Sequence, residues 1–255
     1  MSGERGTTLV LDHVSVARGS RTVVDAVSIT VVPGEVTALL GPNGAGKSSL
    51  VLAIGGVLKP AAGRVTFGEH ELAGARPEFI RASGVAVVPE GRRLLPNMTV
   101  QENLEIGTYT MRAGAAKEGI AYAMELFPEL QKHWTSPAKL LSGGEQQMVV
   151  LGQALASRPR ILVIDELSLG LAPVIVKRLA STLREVVQTG TGILLIEQFA
   201  HVALSVSTAA YILGGGRIVY SGTAAELSAN NDMMTSSYLL AGAVAGDESR
   251  ERETT

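Results

Sequence analysis

Short apolar runs broken by polar and glycine-rich segments recur along the chain, at Thr8–Val16, Val36–Leu40, Arg64–Phe67, Val85–Val88, Ile161–Ile164, Ile193–Ile196 and Ala210–Leu213, the last followed by Arg217–Tyr220. Runs of this length, rich in branched side chains, read as strands. Those starting at 36, 161 and 193 each lead through a turn into a helical pattern, so strand, turn and helix repeat and an α/β fold is predicted. Between Gly91 and Leu155 the period changes to that of helices, with Thr99/Glu102 and Ser142/Glu145 spaced as capping boxes at two helix starts. A mostly helical lobe, 91–155, is therefore expected inside the α/β core. Asp247–Thr255 alternates charges with little apolar content and, like positions 1–7, is expected to be disordered. No internal repeat emerges.

Composition narrows the choices. The 255 residues are 46% hydrophobic, 18% charged and only 4% aromatic, leaving Val, Leu, Ile and Ala to build an interior suited to parallel strands buried on both faces. A formal net charge of −2 supplies no basic field, so no nucleic-acid partner is expected. Without cysteine there is no disulfide framework, thiol nucleophile or thiolate metal site. The longest uncharged stretch, Gln198–Gly216, is broken by Ser205, Ser207, Thr208 and three glycines and does not read as a membrane span. The N-terminus shows no apolar signal core. Any membrane role is expected to be peripheral.

The sharpest chemistry lies at Gly41, Pro42, Asn43, Gly44, Ala45, Gly46, Lys47 and Ser48, which match G-x-x-x-x-G-K-[ST] after an apolar strand and before a helical run. Glycines let backbone N–H groups turn inward around phosphates. Lys47 would reach the terminal phosphates, Ser48 would ligate Mg²⁺, and the helix opening at Ser48–Ser49 presents its N-terminus to the anion. A glycine turn capping a helix is the plain alternative. A helix terminus contributes only about 0.3–2 kcal/mol, whereas micromolar binding needs about 8 kcal/mol; loop amides, Lys47 and a metal must act together.

The metal's partner is expected at Asp165, the end of ILVID, with Glu166 next to it. One carboxylate can hold Mg²⁺ while the other orients and deprotonates the attacking water. Alone, such a pair would be an ordinary solvated turn; the phosphate loop upstream reverses that reading. In LSGGEQQ, Leu141–Gln147, the Ser142/Glu145 pair is a helix cap, yet Gly143 and Gly144 between them expose N–H groups to a second phosphate face.

Phosphate loop, LSGGEQQ and ILVIDE, in this order, resemble the nucleotide-binding domain of ATP-binding cassette (ABC) transporters, over Leu9–Leu240. The stretches Val88–Gly107, Ser168–Pro173 and Leu194–Gln198 most resemble the second ATPase subunit of branched-chain amino acid importers. The resemblance implies a P-loop NTPase core of ABC type spanning 8–240, with a mostly parallel sheet, an N-terminal antiparallel β part and the inserted helical subdomain. It implies ATP and Mg²⁺ as ligands, with Ser48, Glu90 and Asp165 around the metal and Glu166 and Gln198 catalytic. It implies a head-to-tail dimer, with a paralogue or with itself, in which Ser142, Gly143 and Gly144 serve the partner's nucleotide. Two integral membrane permease subunits and an extracytoplasmic solute-binding protein complete the implied complex, placing this chain at the cytoplasmic face of the cell membrane.

Several positions depart from the common cassette pattern. Glu90 stands where most have glutamine and Gln198 where most have histidine, both as in this branch. Arg18 occupies the position that usually stacks an aromatic ring on adenine; its guanidinium plane could stack in part, or simply be solvated. Leu167 replaces a common proline and Leu171 a common aspartate. The four histidines show no metal-ligand spacing, Trp134 reads as packing, and Arg92 and Arg93 read as a solvated turn or a permease contact. Two alternatives remain: a cassette for another solute such as urea, amides, aromatic acids or lipid, and a cytosolic nucleotide switch of the ribosome or chromosome type, against which the single cassette and lack of sustained heptads speak.

Overall fold

A computed structural model describes residues 8–230. The expected disordered ends and positions 231–240 lie outside the described residues. Two sheets form the scaffold. The first is antiparallel, in the order β2-β1-β4-β5, built from β1 (Leu9–Arg18), β2 (Arg21–Val31), β4 (Ala62–Phe67) and β5 (His70–Glu71). The second has the order β10-β9-β3-β8-β7-β6, from β3 (Val36–Leu40), β6 (Val85–Val88), β7 (Ile161–Asp165), β8 (Gly192–Glu197), β9 (Ala209–Gly214) and β10 (Arg217–Thr223), parallel throughout except for the β9–β10 hairpin.

The central strands of the second sheet read as unbroken apolar runs because both of their faces are covered. In β3, Val36, Ala38 and Leu40 enter one core and Leu39 the other; Leu162 and Ile164 are divided in the same way from Ile161 and Val163 of β7. On one side lie the antiparallel sheet, α1 (Lys47–Ile54) and Ile80 of α2 (Pro77–Ser83). On the other lie α3 (Val100–Ile106), α4 (Ala113–Leu126), α5 (Gly143–Leu155) and α6 (Pro173–Gln188), with α7 (Ala200–Leu204) and α8 (Ala224–Ala229). No helix of the described residues is long and apolar enough to cross a membrane.

Helices α3, α4 and α5, with short 3₁₀ turns at Pro128–His133 and Ala138–Leu140, fall between β6 and β7. Both capping boxes form: Thr99 and Ser142 each accept from the backbone N–H of a glutamate three residues on, and each glutamate accepts from the N-cap N–H. One cation ties this lobe to α6. Arg178 donates to Glu129 Oε1 at 2.7 Å and Oε2 at 3.2 Å, to the Leu126 carbonyl at 2.7 Å and to Thr182 Oγ1 at 2.5 Å. Trp134 packs partly buried against the larger core.

Strand β2, the longest of the described strands, was not foreseen from the apolar pattern. Val27, Ile29 and Val31 are buried and alternate with open Ser28 and Thr30, but the period of two breaks at Asp25–Ala26. There Ala26 takes φ +50° and the register to β1 shifts. The bulge adds a residue and hides the strand from its own periodicity.

Candidate functional site

Three adjacent parallel strands end together. Leu40, the last residue of β3, lies opposite Glu197, the last of β8, and Asp165, the last of β7, lies opposite Ile196. This register brings the loop after β3, the Asp165–Glu166 pair and Gln198 to one edge, where ligands of parallel α/β sheets bind. The loop can follow its path only with glycine at two close approaches. A Cβ on Gly46, which has φ +106°, would lie 2.4 Å from the Val23 carbonyl oxygen, and one on Gly41 would lie 2.3 Å from that of Leu213.

The sequence-expected phosphate-loop residues converge around a cleft of about 490 Å³, lined by Asn43, Gly44, Gly46, Lys47, Ser48 and Ser49 together with Glu90, Glu166 and Gln198. Lys47 is buried at the start of α1 and donates to the carbonyls of Gly41 (2.9 Å) and Pro42 (3.0 Å). Burial lowers its pKa, while the carboxylates of Glu166, Asp165, Glu197 and Glu90 act in the opposite sense. Ala45 turns its methyl into the core and forms the turn through N–H to Pro42 O (3.3 Å).

Asp165 is 2% exposed, and its Oδ1 has no hydrogen-bond partner. The Ser48 hydroxyl bonds the same carboxylate, yet burial, with Glu166 and Glu90 adding like charge, pushes the carboxyl up to about 6. A buried carboxylate with an unpartnered oxygen beside a hydroxyl is a donor set that fits a hard divalent cation sharing phosphate oxygens and water. No cluster of three or more acidic or histidine side chains that could hold a metal occurs among the described residues; a shared site of this kind does not require one. Glu166 holds φ +53°, uncommon outside glycine, and its N–H donates to Ile196 O at 2.9 Å.

Ser142, Gly143 and Gly144 do not line this cleft. They start α5, where the Ser142 N–H and hydroxyl both donate to Glu145 Oε2, at 3.0 and 2.8 Å. Burial acts against the charge of Glu145, but Ser142, Lys132 and His133 prevail and hold it at about 2. A depressed carboxylate stabilises the fold in full above its ordinary 4.5, and that contribution is lost as pH falls toward 2. Glu145→Gln, which keeps a capping side chain, is expected to narrow its stability gap to the parent protein by about 1–2 kcal/mol across that window, read by urea unfolding at successive pH values.

Arg92 is neither a plain solvated turn nor isolated. Its guanidinium packs on Gly143, where a Cβ would lie 2.8 Å from Nη1, and Nη2 donates to the carbonyls of Leu169 and Gly170, both at 3.4 Å.

Arg18, expected to lie toward the base, is exposed at the β1–β2 turn, and its Nε donates to Ser49 Oγ at 3.3 Å. The arginine thus sits beside the phosphate loop rather than free in solvent. Arg18→Tyr is expected to tighten ATP about 10-fold, since a base stacked on an aromatic ring is worth about 1–3 kcal/mol; fluorescent-nucleotide displacement checks it, with GTP as the comparison. Sequence reasoning missed Val23 and Leu169, which also line the cleft. It missed Glu197 as well, whose carboxylate is buried against Ser168.

The ABC transporter family profile matches residues 24–168. The high-affinity branched-chain amino acid transport ATP-binding protein BraG of Pseudomonas aeruginosa is 39% identical over 87% of this chain and 95% of its own length. The probable branched-chain amino acid transport ATP-binding protein LivF of Archaeoglobus fulgidus is 35% identical over 79% and 86%. Among solved structures, an ATP-binding cassette of an ABC transporter in its ADP conformation superposes with a TM-score of 0.80 at 27% identity, covering 90% of this chain and 97% of that one. With the phosphate loop, the strand-end carboxylates and the capped LSGGE helix in one fold, the chain belongs to the ABC transporter family, as one of its ATP-binding, ATP-hydrolysing cassettes.

Proposed function

We propose that this cassette energises import of branched-chain or closely related amino acids, working peripherally at the cytoplasmic face of a membrane beneath two permease subunits and alongside a solute-binding protein. The observation that supports its ATPase chemistry is the ending of three adjacent strands at one sheet edge, with the loop carrying Lys47, the Asp165–Glu166 pair and Gln198 following them. The importer assignment draws on the likeness to BraG and LivF. The working unit is 8–240, with 91–155 as its helical insertion.

Asn43, Gly44, Gly46, Ser48 and Ser49 bind the phosphates with Gly41, Pro42 and Ala45 shaping the loop, and Arg18 lies toward the base. Ser48 and Asp165, with Glu90 nearby, would hold Mg²⁺, which would supply charge neutralisation at the nucleotide's phosphates. Glu166 accepts a proton from the attacking water, and Gln198 orients it. Ser142, Gly143 and Gly144, lying outside their own cleft, serve the nucleotide of a second cassette, a paralogue or another copy.

Affinity capture of the tagged chain in mild detergent tests the reading. Integral membrane subunits of an amino acid importer are expected; ribosomes or DNA would replace it with the nucleotide-switch alternative, and permeases for another solute would change the cargo alone.

A further inference from the structure

Beneath the cleft, one buried carboxylate is bonded on both oxygens. Glu197 is 1% exposed at the end of β8. Its Oε1 accepts the Ser168 N–H at 3.0 Å and its Oε2 the Ser168 hydroxyl at 2.8 Å. The backbone N–H of Gln198 also hydrogen-bonds this carboxylate. Two residues before Ser168, Glu166 is fixed to the same strand end, its left-handed backbone donating N–H to Ile196 O at 2.9 Å. The loop leaving β7 is thus pinned to β8 at Glu166 and again at Ser168.

Burying a carboxylate is costly unless its hydrogen bonds are made. An apolar side chain would fill the space with less desolvation, but it could bind neither the amide and hydroxyl of Ser168 nor the Gln198 amide. Those contacts join the segment carrying Glu166 to the segment carrying Gln198, the two side chains placed on the attacking water.

We propose that Glu197 is a positioning residue for hydrolysis: acting through Ser168 and the Gln198 backbone, it holds Glu166 and Gln198 at the separation the water-activation step requires. It touches neither nucleotide nor water, and its effect belongs on turnover rather than on binding. The inference rests on the assignment of Glu166 and Gln198 to hydrolysis.

The test is single-turnover hydrolysis of radiolabelled ATP by the full chain, with ATP affinity and melting temperature measured on the same preparations. Misplacing reacting groups by about 1 Å can cost about 10²-fold, so Glu197→Ala is expected to lower the rate about 10- to 100-fold with ATP affinity within about twofold. Ser168→Ala should lower it about 10-fold. The double variant should be no slower than Glu197→Ala, because both remove one connection. Glu197→Gln, which can accept from the Ser168 amide and donate to its hydroxyl, should recover most of the rate.

An unchanged rate in Glu197→Ala, additive losses in the double variant, or affinity falling in step with rate would overturn the inference. If Glu197→Ala does not fold, Ser168→Ala and Glu197→Gln decide: an unchanged rate in Ser168→Ala refutes the connection, and a loss in Ser168→Ala with near-parent activity in Glu197→Gln supports it. Glu166→Gln separates the two levels. Retained hydrolysis there removes the underlying assignment, whereas an inactive Glu166→Gln beside a fully active Glu197→Ala removes the positioning role alone.

Discussion

Replacing Glu166 by glutamine is expected to leave ATP binding intact and to lower hydrolysis by about 10²–10⁴-fold, the usual contribution of a placed general base. Glutamine retains the shape of the side chain and loses the site for the water's proton. Glu166 borders the cleft, as Lys47 and Gln198 do, and belongs to no ion pair among the described residues. Its backbone provides an independent control. With φ +53° at this position, Glu166→Gly should also abolish hydrolysis but relieve strain of about 1 kcal/mol or more, raising the melting temperature as activity disappears. Loss of turnover from a more stable protein cannot be misfolding. A Glu166→Gln protein that releases phosphate at the parent rate would end the general-base assignment.

Asp165→Asn carries the second large expectation, with two readouts of opposite sign. Hydrolysis supported by Mg²⁺ should fall below about 1% of the parent rate, because the buried strand-end carboxylate and Ser48 are the donor set proposed for the ion. Stability of the nucleotide-free protein should rise instead. Asp165 holds a buried charge with an unpartnered oxygen and has Glu166 and Glu90 as like-charged neighbours. Neutralising it is worth about 1–3 kcal/mol, or several degrees in melting temperature for a protein of this size. Lys47 keeps Glu166, Glu197 and Glu90 as partners, so its own burial stays compensated. Because the folded-state pKa is raised to about 6 from 3.8, the cost of the charge is present above pH 6 and vanishes below about 3.8; the gain from Asn should follow that window in calorimetry. A variant less stable than the parent at neutral pH would contradict the electrostatic reading.

The features legible in the sequence were those whose chemistry is contiguous. Gly41–Ser48 announces itself because its glycines, lysine and serine all lie in one loop, and Asp165–Glu166 because a carboxylate pair closes an unbroken apolar run. Ser142 and Glu145 declare their cap by spacing alone. Features set by register stayed hidden. Val23 reaches the cleft only because β2 runs beside the loop, and β2 is disguised by the bulge at Ala26. Glu197 follows GILLI in the chain and resembles the solvated end of a strand; its partner Ser168 belongs to another strand's loop, and only the alignment of β7 with β8 joins them. The one available signal was an acidic residue directly after a fully apolar strand and before a residue already assigned to the site. The path of Arg92 to Gly143 and Gly170 had no signal, since it depends on a left-handed turn at an arginine.

Arg178 gives the molecule a mechanical property. A guanidinium that holds Glu129, the Leu126 carbonyl and Thr182 at once rivets the corner after α4 to the flank of α6. That corner cannot pivot on α6 without breaking charge-assisted bonds, so lobe and helix are held as one lever and axle. The near end of the axle is Pro173, where the loop bearing Glu166 and Ser168 runs into α6. The lobe is thereby connected, through α6, to the loop that bears Glu166 and Ser168.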